Sequence, residues 1–265
     1  MSRLSRTITT RGYEVDARGR VSLGGFARYF EVVRSEYIRV ADSPLRALFR
    51  DGGLMVMRAQ RVELFGAFAS LATLELDAAV ATVGSSSMRF VQTARAGGKV
   101  VAKNVSVAVA VDAQRRPARV PDGVRAIATG ESVADLPTMA EPLGATFSTR
   151  AYVRPSDLDQ LDHVNHGRYV DFVDDAYQHA RARQAYGDDV PDGGYAITIE
   201  YDGETRLAPE LGAERHLAVD TWRTSSDTFA FQLIDPRDGR RVSRAVIEAS
   251  HEICARRFVG DRSGS

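Results

Sequence analysis

The chain is short of several things, and each absence excludes a class of protein. It has one cysteine, Cys254, in 265 residues. A single thiol rules out an internal disulfide framework and a multi-thiolate metal site within one chain. It has no charge imbalance, with 35 basic against 35 acidic residues, so no global field recruits nucleic acid or a membrane surface. Lysine is nearly missing: Lys99 and Lys103 stand among a basic complement that is otherwise arginine. No apolar run approaches the roughly 20 residues that a membrane span needs. Met1 to Thr10 is polar and lacks an apolar core, so no secretory signal is visible and the cytoplasm is the expected location. What remains is ordinary globular composition, 44% apolar and 26% charged, which argues against disorder.

The chain does contain an internal duplication. At an offset of 143 residues, Asp16 aligns with Asp159, Val21 with Val164, Phe26 with Tyr169, Phe30 with Val173, Glu31 with Asp174 and Leu74 with Leu217. A register held from Asp16 to Leu74 implies a fold built twice, in halves of about 130 residues that can each bury a core. At the polar positions the copies part. His163 stands opposite Arg20, Asn165 opposite Ser22 and Glu204 opposite Arg61. The second half keeps a polar cluster that the first lacks, which places the expected site in the second half.

Each half follows its opening loop with a helical stripe. Phe26, Phe30, Val33 and Tyr37 recur at helical spacing in the first; Tyr169, Phe172, Val173 and Ala176 do so in the second, whose helix is expected to run to about Arg183 and stop near Gly187. Strand-like segments follow at Leu54–Glu63, Ala72–Val83, Ser87–Thr93 and Val100–Val111. In the second half they fall at Tyr195–Tyr201, Arg215–Trp222, Thr228–Ile234 and Val242–Phe258. A short strand such as Ala145–Val153 precedes each motif. The fold class is α+β, each half an antiparallel sheet wrapped around one long helix. The expected division is 1–116, a linker at 117–142 rich in Pro, Gly and acidic residues, and 143–265.

The stretch Ser156-Asp157-Leu158-Asp159-Gln160-Leu161-Asp162-His163-Val164-Asn165-His166-Gly167-Arg168-Tyr169 resembles the signature of hotdog-fold thioesterases, in which an acidic residue precedes a His-Val-Asn run and a Tyr opens the helix. The tandem arrangement is similar to the acyl-ACP thioesterases, which are double hotdogs. Asp112–Pro121 and Ile199–Thr205 add supporting likeness. By position the resemblance implies that Asp159 is the catalytic aspartate, His163 the family's histidine and Glu204 a catalytic glutamate. It also implies a fatty acyl thioester on acyl carrier protein or CoA as the substrate, no cofactor, and further pairing between chains as a homodimer. Two departures stand out: Leu161 replaces the Asn of the plant-type enzymes, and Thr205 replaces their Cys, so no thiol nucleophile exists there.

Thioester hydrolysis needs a base or nucleophile, donors where the carbonyl oxygen turns negative, and a dry slot. Asp159 can attack directly or orient water. The loop runs straight into a helix, so backbone N–H groups at His166 and Gly167 are expected to form an oxyanion hole. His163 and Asn165 can hydrogen-bond the carboxylate or the thioester. Glu204 offers a second base. Tyr169, Phe172, Phe26 and Phe30 are the candidate slot residues. The first half, without the polar cluster, is expected to be catalytically silent and to wall the slot.

Plainer readings stand beside these. An Asp ahead of a helix can be a cap or turn residue, which applies to Asp157 and Asp159 alike. His163 can be a turn histidine, and Glu204 a solvated one at a strand end. His163 and His166 have no third ligand nearby, so no metal is expected. Two other functions remain open: an acyl-CoA or aryl-CoA thioesterase on the same scaffold, and a non-catalytic acyl-thioester binding protein.

Overall fold

The computed structural model describes residues 1–15, 21–65, 73–137, 139, 144–159, 163–191, 194–202 and 215–250. Asp16, Arg20, Leu161, Glu204, Thr205 and Cys254 lie outside them.

The element order repeats. Strand β1 (Arg3–Thr9) precedes helix α1 (Leu23–Arg39), then β2 (Leu54–Leu64), β3 (Thr73–Val83), β4 (Ser87–Ala96) and β5 (Lys99–Val111). After a short helix α2 (Asp122–Ala126) come β6 (Phe147–Tyr152), α3 (His166–Ala182), β7 (Gly194–Tyr201), β8 (His216–Arg223), β9 (Thr228–Asp235) and β10 (Arg240–Ala249). Helices α1 and α3 are 17 residues each and start 143 residues apart. The loops ahead of them match too. A one-turn 3-10 helix, Gly12–Glu14 or Pro155–Asp157, leads to a single antiparallel bridge, Val15 to Val21 or Leu158 to Val164. The offset of 143 found in sequence therefore holds in backbone geometry.

The strands do not form two separate sheets. They form one antiparallel sheet in the order β1-β3-β4-β5-β2-β7-β10-β9-β8-β6. Pairing of β2 with β7, from Ala59 opposite Glu200 to Glu63 opposite Ala196, joins the two strand sets. This central pairing satisfies two strand edges that would otherwise expose unpaired N–H and C=O groups. α1 and α3 pack against the sheet and against each other.

Period-2 alternation aims the core. In β4, Met88, Phe90, Gln92 and Ala94 are buried, while the residues between them are partly exposed. Gln92 is polar on this inward row, and its partners explain it. Its Nε2 donates to the Phe30 carbonyl of α1 at 2.5 Å, and Asn104 Nδ2 of β5 donates to its Oε1 at 2.8 Å. The pair ties a helix carbonyl to the sheet inside an apolar layer. α3 packs differently: Tyr177 meets Phe229 and Tyr186, with ring centroids 5.0 and 6.1 Å away. The helix ends at Ala182 with Arg183 as its C-cap. Gly187 follows at φ 90°, where a glycine accepts the left-handed turn.

The 117–142 stretch is more than a tether. Val120 and Val124 are fully buried, and Thr129 and Gly130 donate backbone hydrogen bonds to Val80 and Ala81 of β3. Its composition hid this, because two valines at i and i+4 are too little periodicity to read. Among the described residues, no helix is long and apolar enough to cross a membrane.

Candidate active site

The start of α3 is set by its own sequence. Asn165 is the N-cap, its Oδ1 accepting from Gly167 N–H at 2.8 Å while its carbonyl accepts from Arg168 N–H at 2.9 Å. Neither Asp157 nor Asp159 caps the helix. Asp157 is buried and structural: its Oδ2 accepts from Arg154 N–H at 2.8 Å, its Oδ1 pairs with Arg168 Nε at 2.8 Å, and its carbonyl takes Asn165 N–H at 2.8 Å. Asp159 closes the turn. Its N–H donates to the His163 carbonyl at 2.8 Å, and its Oδ1 accepts from His163 N–H at 3.1 Å. The residue thus has the turn role and also a place on the wall of a cavity.

That cavity, of about 750 Å³, brings together Asp159, His163, Asn165, His166, Tyr169 and Tyr201. Arg58 and Arg115, Asp202 and a run of aliphatic side chains from β2 and β5 complete its wall. A second cavity of about 720 Å³ adjoins it, sharing Glu31, Phe49, Met55, Met57 and His166 and adding Arg34 and Ile38. Of the expected slot aromatics, only Tyr169 lines the first cavity. Phe26 and Phe30 lie against each other with tilted rings, centroids 6.2 Å apart, in the closed core, and Phe172 is buried edge-on against Tyr169 without reaching the cavity wall. They sit on the stripe as the spacing demanded, but a stripe facing a packed core gives no slot.

One expected donor is already engaged. Gly167 N–H is taken by the Asn165 cap, so it does not point open at the cavity. Among the described residues, His166 N–H is the helix-start donor left without a partner. The His166 ring has a separate role. Its Nε2 lies 2.6 Å from Arg34 Nη2, and since a guanidinium can only donate, Nε2 must accept and the proton sits on Nδ1. Burial first, and the Arg34 charge second, hold this imidazole well below its ordinary pKa of 6.5, so it is neutral. Tyr201 OH donates to the His166 carbonyl at 2.9 Å, and its ring packs edge-on against Tyr169 and His166. Arg58 in turn donates to the Tyr201 carbonyl across the β2–β7 junction.

The residues that sequence reading missed come from the first half. Glu31 on α1 lines both cavities, and its Oε1 accepts from Asn165 Nδ2 at 2.8 Å. Arg34, one turn on, is 3% exposed. A signal for Arg34 existed: from Phe30 to Arg34 to Tyr37 the steps are four and three, so a cation occupies a position that the stripe reserves for an apolar side chain. Glu31 gave no such signal. Glu204 lies outside the described residues; Asp202, two residues before it, lines the cavity. Among the described residues, no three His, Cys, Asp or Glu side chains gather as metal ligands.

Residues 11–127 match the family model of the thioesterase-like superfamily. The match falls on the half without the His-Val-Asn run. No curated protein sequence matches the chain. Among solved structures, an acyl-ACP thioesterase from Bacteroides thetaiotaomicron superposes with a TM-score of 0.76 at 14% identity, covering 93% of this chain and 97% of that one. The 12:0-ACP thioesterase from Umbellularia californica gives a TM-score of 0.73 at 20% identity, over 93% of this chain and 96% of that one. The chain carries a thioesterase-like superfamily match over residues 11–127, on the double hotdog fold that the acyl-ACP thioesterases share.

Proposed function

We propose that the protein is a thioester hydrolase that releases fatty acids from acyl-ACP, with its site in the cavity between the α3 start and α1. The observation that carries this reading is the convergence of Asp159, His163, Asn165 and His166, the first residue of α3, on one cavity beside an aliphatic wall. Asp159 supplies the carboxylate, as nucleophile or as base to a water. In the water route it takes one proton, hydroxide adds to the thioester carbonyl carbon, and the oxygen becomes negative against the His166 N–H and the helix dipole. The carbonyl then re-forms, the C–S bond breaks, and the leaving thiolate takes the proton that Asp159 holds, which restores the carboxylate. His163 and Asn165 line the approach, and Glu204 is carried over as a second base. The first half, taken as residues 1–116, keeps Asp16 but carries Arg20, Ser22 and Arg61 where the second has His163, Asn165 and Glu204, and on that ground is catalytically silent.

The test is thiol release from a panel of acyl-ACP and acyl-CoA substrates. Wild type is expected to turn over acyl-ACP, and Asp159→Asn to lose about 100-fold or more, as expected for a group acting in the transition state. A preference for acyl-CoA would move the substrate assignment. Binding without release would replace hydrolysis by ligand binding.

A further inference from the structure

Glu31 has no role in the α1 core, yet it reaches across the helix pair to the site. Its Oε1 accepts from Asn165 Nδ2 at 2.8 Å, and a Cβ added at Gly167 would lie 3.4 Å from its Oε2. The Asn165 amide is thereby held at both ends: Oδ1 by Gly167 N–H, Nδ2 by Glu31. Turning the amide over would set NH2 against N–H and oxygen against carboxylate, two repulsive contacts in place of two hydrogen bonds. One Nδ2 hydrogen is spent on Glu31. The geometry directs the other away from Glu31, and Asn165 lines the cavity beside Asp159 and His163.

We propose that Glu31 is a positioning residue: it fixes the Asn165 amide so that a side-chain N–H is presented to the thioester, making the site a joint product of both halves. This rests on the hydrolase reading for its kinetic consequence, but not for its geometry. Arg34 belongs to the same arrangement. Its buried charge is met by Glu31 and by His166 Nε2, which keeps both partners in place.

Two variants separate positioning from chemistry. Gln at 31 retains an acceptor for Asn165 Nδ2, whereas Ala does not. Glu31→Ala is expected to lower kcat about 10- to 100-fold, the range that loss of orientation produces, with KM little changed. Glu31→Gln is expected to stay within about threefold of wild type, since the acceptor survives. Equal losses in both would make Glu31 a chemical group and overturn positioning; no loss in either would also overturn it. NMR of the Asn165 side-chain amide supplies a readout independent of turnover. In wild type its two protons should be widely split and slow to exchange, unchanged in Glu31→Gln and collapsed in Glu31→Ala. A narrow, solvent-like pair in wild type refutes the proposal even if both variants misfold. If wild type hydrolyses no thioester while the NMR pattern holds, the hydrolase reading fails and the positioning geometry stands.

Discussion

Adding one methyl group at each of two equivalent glycines should separate stability from activity. Gly24 and Gly167 stand 143 residues apart, at the second residue of α1 and of α3. Gly→Ala in a helix is favourable by up to about 1 kcal/mol when space allows. At Gly24 space does not allow. The new Cβ would overlap Asp171 Oδ1 and lie 2.7 Å from its Cγ, with the Asp171 Cα at 3.4 Å. Asp171 cannot swing away freely, because it holds Arg28 at 2.5 Å and also Arg168. Overpacking of this kind costs about 1–3 kcal/mol; with Asp171 pinned, the upper part of that range, about 2–3 kcal/mol, less the helix gain leaves Gly24→Ala roughly 1–2 kcal/mol less stable. In a chain of this size that is a fall of about 2–8 °C in Tm. At Gly167 the Cβ would meet Asn165 Oδ1 at 3.2 Å and Glu31 Oε2 at 3.4 Å, contacts relieved by shifts of a few tenths of an ångström. Some loss of the cap, worth about 1 kcal/mol, offsets the helix gain, so Tm should move by no more than about 3 °C. The two side chains that move are, however, those assigned to the site. If a 1 Å misplacement can cost about 100-fold, a few tenths should cost about 3- to 10-fold in kcat. Thermal unfolding and thiol release, expressed per folded molecule, measure both. A fully active Gly167→Ala, or a Gly24→Ala as stable as wild type, would refute the packing argument at the helix crossing.

Further expectations follow from single side chains. His166 is neutral in the folded protein because burial and Arg34 lower its pKa. The unfolded chain therefore binds a proton there that the folded one does not, and stability should fall as pH drops below about 6.5, by up to about 1.4 kcal/mol per pH unit. Chemical denaturation between pH 7.5 and 5.5 reads this, and His166→Gln should flatten that part of the curve; an unchanged slope would place the titration elsewhere. Phe229 is fully buried, 4.6 Å from the Tyr186 centroid. Phe229→Ala should cost about 3–5 kcal/mol in urea unfolding, and a loss under about 1 kcal/mol would mean the aromatic cluster is not a packed unit. Ser22 Oγ accepts from Gly25 N–H at 3.0 Å as the cap of α1, so Ser22→Ala should lose about 1 kcal/mol, with no loss if water replaces the cap.

Much of this was legible because it repeats locally. The stripe from Phe26 to Tyr37 and the alternation in β4 follow from the 3.6 and 2.0 periods of their backbones, and the 143-residue offset carried each half's reading to the other. The β2–β7 pairing was not legible, since edge-to-edge joining depends on which strands end beside each other rather than on any pattern within them. The site divided the same way. Asp159, His163 and Asn165 lie close in sequence on one loop, and the cavity gathers all three. Glu31 and Arg34 are 134 and 132 residues from Asn165 and His166, the partners they meet. Their contact exists only because α1 and α3 cross. Gly167 misled for a local reason: the rule that helix-start N–H groups are open fails where the N-cap side chain has taken one.

The duplication also explains how a site can depend on both halves while appearing in one. In a symmetric pair of identical units, any change at the helix crossing occurs twice. Once the units share a chain, the two equivalents can diverge. Arg34 corresponds at the 143 offset to Tyr177, and His166 to Leu23. Tyr177 is fully buried, its OH donating to the Pro191 carbonyl at 2.9 Å and its ring against Phe229; Leu23 is buried in the same core. On one side of the pseudo-symmetric crossing, then, the equivalents are uncharged side chains packed in the core. On the other they are a buried cation and a neutral imidazole that border two cavities. A buried Arg34 costs stability unless its partners are in place, and tyrosine at the equivalent position carries no such cost. The fused chain can hold one costly polar crossing against one well-packed crossing, a balance that a homodimer with two polar crossings would have to meet twice over.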